Sequence, residues 1–483
     1  MSFVSSAKAF LGSLPIQRFH PVTLDALRHY DTRMLTRDIS AGLTVGMVAL
    51  PLAMAFGIAS GVPPEAGIYT AIIAGFLISL LGGCRVQIGG PAGAFIVIIY
   101  GIIANYGLGN LLLATIGSGV ILFLMGLFKL GSFIRFIPVS IVIGFTNGIA
   151  VLIGLSQVKD FLGLSIEKMP ADFFHQIQTL YAHIDTFNPY AFGLALVSFL
   201  IVKFWPKGYV MGGAPWKRWM AHLPGTVVVL VASTIVVSVF NLPVETIGTK
   251  FGGIPQKLPD LTLPDFSWEA FKHLIGPMIT IALLGAIESL LCARVADAMT
   301  DDRHDPNQEL MGQGVANFVV PFFGGIPATG AIARTATNIK AGAKSPVSGM
   351  IHAVTLLAIL MAFAQYAQQI PLAVLAGILT VVCYNMSEMH TFSRLLKGPR
   401  QDAAVLVITF LLTVFVDLVV AVEVGVVLAA LLFMGRMAQI SDVSAIKNEL
   451  LDNDEEDDED RSTAKLSIPE GVEVFDAVSY THL

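Results

Sequence analysis

Two ionisable residues stand out inside long apolar stretches, where a formal charge is costly unless it faces a cavity or a partner. Glu288 lies within Leu283-Leu284-Gly285-Ala286-Ile287-Glu288-Ser289-Leu290-Leu291-Cys292. A carboxyl isolated in that setting can take up and release a proton, which makes Glu288 a candidate proton-coupling residue. Arg334 follows the run Ala328-Thr329-Gly330-Ala331-Ile332-Ala333. Its permanent positive charge could attract an anion or balance Glu288. A purely structural buried pair of the two is the alternative, as is Arg334 snorkelling to the inner surface.

Glycine and proline cluster at the start of two apolar stretches. Gly89-Gly90-Pro91-Ala92-Gly93-Ala94-Phe95-Ile96 resembles Gly325-Ile326-Pro327-Ala328-Thr329-Gly330-Ala331-Ile332, with the prolines 236 positions apart. Ile137-Pro138-Val139-Ser140 likewise resembles Ile370-Pro371-Leu372-Ala373, with the prolines 233 apart. Two matches at nearly one offset indicate a duplicated unit. Proline lacks a backbone donor and glycine weakens helices, so each Gly/Pro stretch is expected to start extended and turn helical partway across. Free N–H groups and the positive dipole ends of two such helices would meet and hold an anion near the midplane. Simple kinking or close helix packing is the bland reading of the same residues. Ser289, Thr329, Thr335 and Asn338 could add hydroxyl or amide contacts, or could serve packing alone.

The elements that must position these residues follow from composition. Of the 483 residues 55% are hydrophobic and 13% charged, against about a quarter charged in a soluble domain. Most of the chain therefore belongs in lipid, as helices that satisfy their own backbone groups. Apolar runs place spans near 38–61, 64–83, 86–105, 108–130, 136–158, 189–206, 221–241, 274–298, 308–323, 327–341, 347–368, 371–385, 402–417 and 420–440. That is about fourteen, seven per unit, and an odd number inverts the second copy relative to the first. Lysine and arginine concentrate in the loops that are internal if the N-terminus is cytoplasmic, so both termini are expected inside. The first 37 residues are mixed and basic, without the apolar core and small-residue cleavage site of a secretory signal, so cleavage is not expected.

Other features say less. Cys84, Cys292 and Cys383 show no metal-ligand or disulfide spacing and read as small buried hydrophobes. His352 and His390 read as packing or surface residues. Asp38, Glu65, Asp417 and Glu423 fall near expected helix ends, where a solvated or capping role fits. The net charge of -6 draws heavily on the acidic run Asp452 to Asp460, read as a solvated linker. No nucleophile, metal-ligand set or phosphate loop supports a membrane enzyme, and neither a cofactor nor a nucleic-acid partner is expected.

Val62-Pro63-Pro64-Glu65-Ala66-Gly67-Ile68-Tyr69, Gly89-Gly90-Pro91 and Ala333-Arg334-Thr335 with Asn338 together resemble the sulfate permease (SLC26/SulP) anion transporter family. Leu284 through Ala293 and Asn385-Met386-Ser387-Glu388 are most similar to its bacterial proton-coupled C4-dicarboxylate members. The resemblance implies an all-α polytopic fold, a 7+7 inverted repeat with core and gate domains, and two half-helices preceded by short extended segments. It implies a cytoplasmic segment 1–37 and a transporter domain 38–440, with the core about 38–130 and 274–368 and the gate about 131–241 and 369–440. An acidic linker 441–467 and the start of a truncated STAS-like domain, 468–483, would follow.

A substrate pocket lined by Leu52, Phe56, Ala92, Gly93, Ala94, Ser289, Ala328, Thr329, Gly330, Ala331, Ile332, Ala333 and Arg334 is implied, with Glu288 coupling a proton. Sodium-coupled bicarbonate members pair an acid with hydroxyl residues; Cys292 and Ile332 stand at the matching positions, so no sodium or other metal site is expected. The expected activity is uptake of a dicarboxylate, sulfate or bicarbonate with protons, by an elevator-type homodimer embedded in lipid in a bacterial inner membrane. A nucleobase:proton symporter of the same fold and an anion channel are the rival readings.

Overall fold

Proline and glycine interrupt the helices of this computed structural model where the repeated motifs stand. The structure describes residues 16–416 apart from 29, 133–137, 167–168, 171, 207–223, 258–259 and 262–267, with scattered positions from 420 to 431. The described residues up to Gly425 belong to one compact unit. Helix α1 (Val22–Arg28) precedes α2 (Thr32–Ala59) and α3 (Pro64–Leu81). Strand β1 is only Gly89–Gly90; a 3-10 turn, Gly93–Phe95, then leads into the short helix α4 (Ile96–Tyr106). Helices α5 (Leu108–Leu127), α6 (Val139–Leu162), α7 (Phe173–Ala182), α8 (Pro189–Phe204) and α9 (Gly225–Phe240) follow.

The second half begins after two short helices, α10 (Ile247–Phe251) and α11 (Trp268–His273). It comprises α12 (Ile275–Thr300), α13 (Pro306–Val319), strand β2 (Thr329–Gly330), α14 (Ile332–Lys340), α15 (Val347–Ala367), α16 (Leu372–Met386), α17 (Met389–Leu396) and α18 (Arg400–Phe415). Helices α4 and α14 begin at Ile96 and Ile332, the same 236-residue offset as Pro91 and Pro327. Helices α6 and α16 begin immediately after Pro138 and Pro371, which serve as their N-caps. Both sequence echoes thus mark equivalent places in the fold, as an inverted repeat requires.

Among the described residues seven helices are long and apolar enough to cross a membrane, and Gly93–Tyr106, Pro189–Phe204 and Gly225–Phe240 are shorter apolar ones. Helix α13 joins them with different chemistry: Gln308, Glu309, Gln313 and Asn317 are all buried, because it packs against α3 and α5 inside the protein. Helix α2 starts six residues before the expected span, since Asp31 caps it by accepting from Met34 N at 2.6 Å. Helices α7, α10, α11 and α17 lie in segments read as loops; α17 is short, carries Arg394 in its last turn and buries none of its residues. The span expected at 420–440 lies largely outside the described residues, as do Asp417, Glu423, the acidic linker and the STAS-like start.

Packing sorts the helices into two sets. Helices α2, α3, α5, α12, α13 and α15 contact one another extensively, and α6, α8, α16 and α18 form a second group. Close approach within each set depends on small residues, as expected where lipid supplies no hydrophobic drive between helices. Gly119 and Gly314 seat α5 on α13 so tightly that a β-carbon on either would come within 2.7 Å of the other's carbonyl oxygen.

Candidate functional site

The two interrupted segments meet. Strands β1 and β2 pair antiparallel, Gly89 opposite Gly330 and Gly90 opposite Thr329, and Ala331 N donates to Ile88 O at 2.8 Å. Each strand leads into a helix whose N-terminus has no side-chain cap: Ala92 precedes the first, Ala331 the second. Their opening N–H groups lack the acceptor that Ser, Thr, Asp or Asn would supply at that position. An anion is the natural partner for two such ends.

Extended backbone inside a membrane protein must find hydrogen bonds beyond its own helix, and side chains supply them here. Ile88 N donates to Thr335 Oγ1 at 2.9 Å, and Thr70 Oγ1 accepts from Ile326 N at 2.8 Å. Asn317 brackets Ala328, accepting from its N at 2.8 Å and donating to its O at 2.9 Å; Gln313 donates to the same oxygen. Ser289 Oγ accepts from Gly330 N at 3.0 Å and lies 2.8 Å from Thr329 Oγ1, which donates to Gly285 O. In this conformation the hydroxyls of Ser289, Thr329 and Thr335 hold the strands. Asn338 does similar work, donating to Val86 O and Ser348 Oγ.

Arg334 lies in the first turn of α14 and is 2% exposed, so it does not snorkel to a surface. One guanidinium nitrogen, Nη2, donates to Pro91 O across the repeat interface. The other, Nη1, is buried without a hydrogen-bond partner among the described residues. The guanidinium carbon stands 6.0 Å from the centre of the Phe56 ring, within range of a cation–π contact. Gly90 makes room for it: a β-carbon there would meet Nη1 at 2.6 Å, and the Gly90 φ of 150° is one that side-chain-bearing residues rarely adopt.

Glu288 is half-buried on α12 and makes neither an ion pair nor a hydrogen bond among the described residues. The Glu288–Arg334 pair considered from sequence does not form. Among the described residues no carboxylate pairs with the guanidinium, which stands beside two uncapped helix ends. Of the expected pocket residues, Leu52, Phe56, Gly93, Ala94, Ala328, Thr329, Gly330, Ser289 and Arg334 are buried, while Ala92, Ala331, Ile332 and Ala333 retain accessible surface. The accessible residues are those at the helix starts.

Several supporting groups escaped the sequence reading. Glu309, 1% exposed, accepts from Gly83 N at 2.8 Å, Cys84 N at 3.1 Å and Gln87 Nε2 at 2.9 Å, locking the turn before β1. An acid inside an apolar stretch was its visible signal, masked by its position one turn from the helix start. His352 is fully buried against Gly75, a packing position. A recess of about 640 Å³ between α5 and α12 is lined by apolar side chains such as Leu113, Val120 and Met278, so it offers an anion nothing.

Comparison with known proteins agrees with this geometry. The sequence profile of the sulfate permease family matches residues 35–409. YvdB of Bacillus subtilis (strain 168), whose name assigns it provisionally to sulfate transport, is 46% identical over 411 residues, covering 85% of this chain and 76% of that one. The bicarbonate transporter BicA of Picosynechococcus sp. is 32% identical over 418 residues, 84% of this chain and 72% of that one. A solved transmembrane domain of a cyanobacterial BicA superposes with a TM-score of 0.72 at 31% identity, covering 81% of this chain and 98% of that domain. A multi-pass membrane fold, paired half-helices with an unneutralised arginine between them, and a profile match over most of the length lead to one conclusion: the chain belongs to the sulfate permease family of anion transporters.

Proposed function

We propose that the protein is a secondary active transporter that couples anion uptake to proton entry, taking a dicarboxylate, sulfate or bicarbonate. The observation that carries this reading is the junction of β1 and β2, where two uncapped helix N-termini and the free Nη1 of Arg334 converge. Fixed dipoles and one guanidinium attract negative charge without a dedicated counter-ion. Glu288, half-buried and unpaired beside this junction's second strand, is the group proposed to carry the proton. Names of the relatives support sulfate and bicarbonate; the similarity of Leu284 to Ala293 and Asn385 to Glu388 to dicarboxylate members supports the third class.

Movement is read as an elevator, with α2–α5 and α12–α15 forming a core that slides past a gate of α6–α9 and α16–α18. Separation of the packing into two sets supports it. The reading places the protein in a bacterial inner membrane as a homodimer, with both termini cytoplasmic. Proteoliposome uptake of succinate, fumarate, aspartate, sulfate and bicarbonate, with and without an inward proton gradient, tests it. At least one anion should enter saturably and faster with the gradient, and Glu288→Gln should abolish the stimulation. Uptake indifferent to the gradient, or unchanged in Glu288→Gln, would refute the coupling scheme.

A further inference from the structure

One side chain of the second helix set reaches the anion junction. Met386 is the last residue of α16, and its thioether lies over the first turn of the interrupted segment: a β-carbon on Gly93 would come within 2.8 Å of Met386 Sδ and 3.6 Å of Cε. The same point is 3.7 Å from Phe56 Cε1. Gly93 therefore sits where a core aromatic and a gate thioether converge, and any larger residue would displace one of them. Met386 is half-buried and ends its helix, and the next residue, Ser387, has left helical geometry, with ψ of 76°.

The chemistry of methionine suits a removable cover. Its unbranched chain has three rotatable bonds, and its sulfur is a weak hydrogen-bond acceptor. A thioether can shield the free N–H groups of the first half-helix from other partners, yet a charged oxygen competes for them far better. The expected displacement needs no rearrangement of the core strands.

We propose that Met386 is a specificity-determining residue: its thioether covers the berth over Gly93 and Phe56, is displaced when an anion binds, and by its bulk limits the size of anion accepted. This rests on the transport reading above.

The full chain in proteoliposomes tests the idea through the ratio of succinate to bicarbonate uptake in wild type, Met386→Ala, Met386→Leu and Met386→Phe. Met386→Ala should raise the ratio about tenfold, the low end of what one methylene is worth in a closed pocket, because this site is only partly enclosed; Met386→Phe should lower it comparably, and Met386→Leu should stay near wild type. A second readout follows the contact itself. In Met386→Cys, with the native Cys84, Cys292 and Cys383 all buried, labelling by neutral N-ethylmaleimide should accelerate when the transported anion saturates the site. Wild-type uptake with ratios unchanged in the Ala and Phe variants, or a labelling rate that falls or stays constant with anion, overturns the role of Met386 alone. Absence of wild-type uptake for every anion tested overturns the transport reading and this inference with it.

Discussion

Arg334 does two things with one guanidinium, and a lysine can do only one. Nη2 ties the second half-helix to Pro91 O of the first, while Nη1 remains available at the junction. An ammonium is a single point donor on a flexible stem, without the planar fork that separates these tasks. Arg334→Lys should therefore raise the KM for the transported anion about tenfold, the loss of one charge-assisted hydrogen bond, with a smaller change in maximal rate. Concentration-dependent uptake measures the split; an unchanged KM would mean that Nη1 does not meet the anion. Arg334 and Glu288 were legible in the sequence because charge inside an apolar run is visible in one dimension. Their lack of mutual contact was not, because it depends on how β1 and β2 pair across more than two hundred residues.

At the scale of elements, the two half-helices were legible from Pro91 and Pro327, whereas the groups that hold them were obscure. Thr335 and Glu309 bond to backbone more than two hundred residues away and Asn317 to backbone across the turn that follows its helix, pairings that residue type alone does not reveal. Asp38 shows the same ambiguity. Read as a solvated or capping residue, it is a cap with no solvent exposure at all. Its carboxylate accepts from Lys344 N at 2.7 Å, Ser345 N at 3.3 Å, Ser345 Oγ at 2.5 Å and Tyr30 Oη at 2.9 Å, fixing the turn that enters α15.

Removing that acceptor strands several buried donors. Asp38→Ala should destabilise the protein by about 3 kcal/mol, seen as a lower melting temperature in detergent, and Asp38→Asn should cost less because the amide oxygen still accepts. Burial, with the Asp38 hydrogen bond and charge adding to it, pushes the Tyr30 phenol up to about 12. A raised pKa means this contribution is complete below the unfolded phenol's value near 10 and is lost as pH rises through about 12. Tyr30→Phe should then lower the melting temperature by the same amount throughout the neutral range. A difference that varied between about pH 6 and 9 would contradict the assignment.

Across the whole molecule, glycines mark which helices pack most closely together. Gly42 and Gly46 seat α2 against Ser348, Ile351 and Thr355 of α15, and Gly119 meets Gly314. In the other set Gly144 and Gly148 seat α6 on Leu406, Thr409 and Thr413 of α18, and Gly377 of α16 lies against Ala195 of α8. Each of these tight seams joins two helices of the same set, and small residues are what let helix backbones approach this closely in lipid. Between the sets the contact at the site is the thioether of Met386 on Gly93, a soft one.

Such an arrangement predicts unequal consequences for covalent ties. A disulfide within the gate, Gly144→Cys with Thr409→Cys, starts from a β-carbon separation of 3.3 Å, just under the usual span of about 3.5–4.5 Å, and should leave uptake at wild-type rates. Phe56→Cys with Met386→Cys joins core to gate when bridged by a short cleavable thiol reagent. Uptake should then stop and recover on cleavage, because the anion can no longer travel with the core. Continued transport in the bridged protein would mean that the two sets do not slide past each other during the cycle.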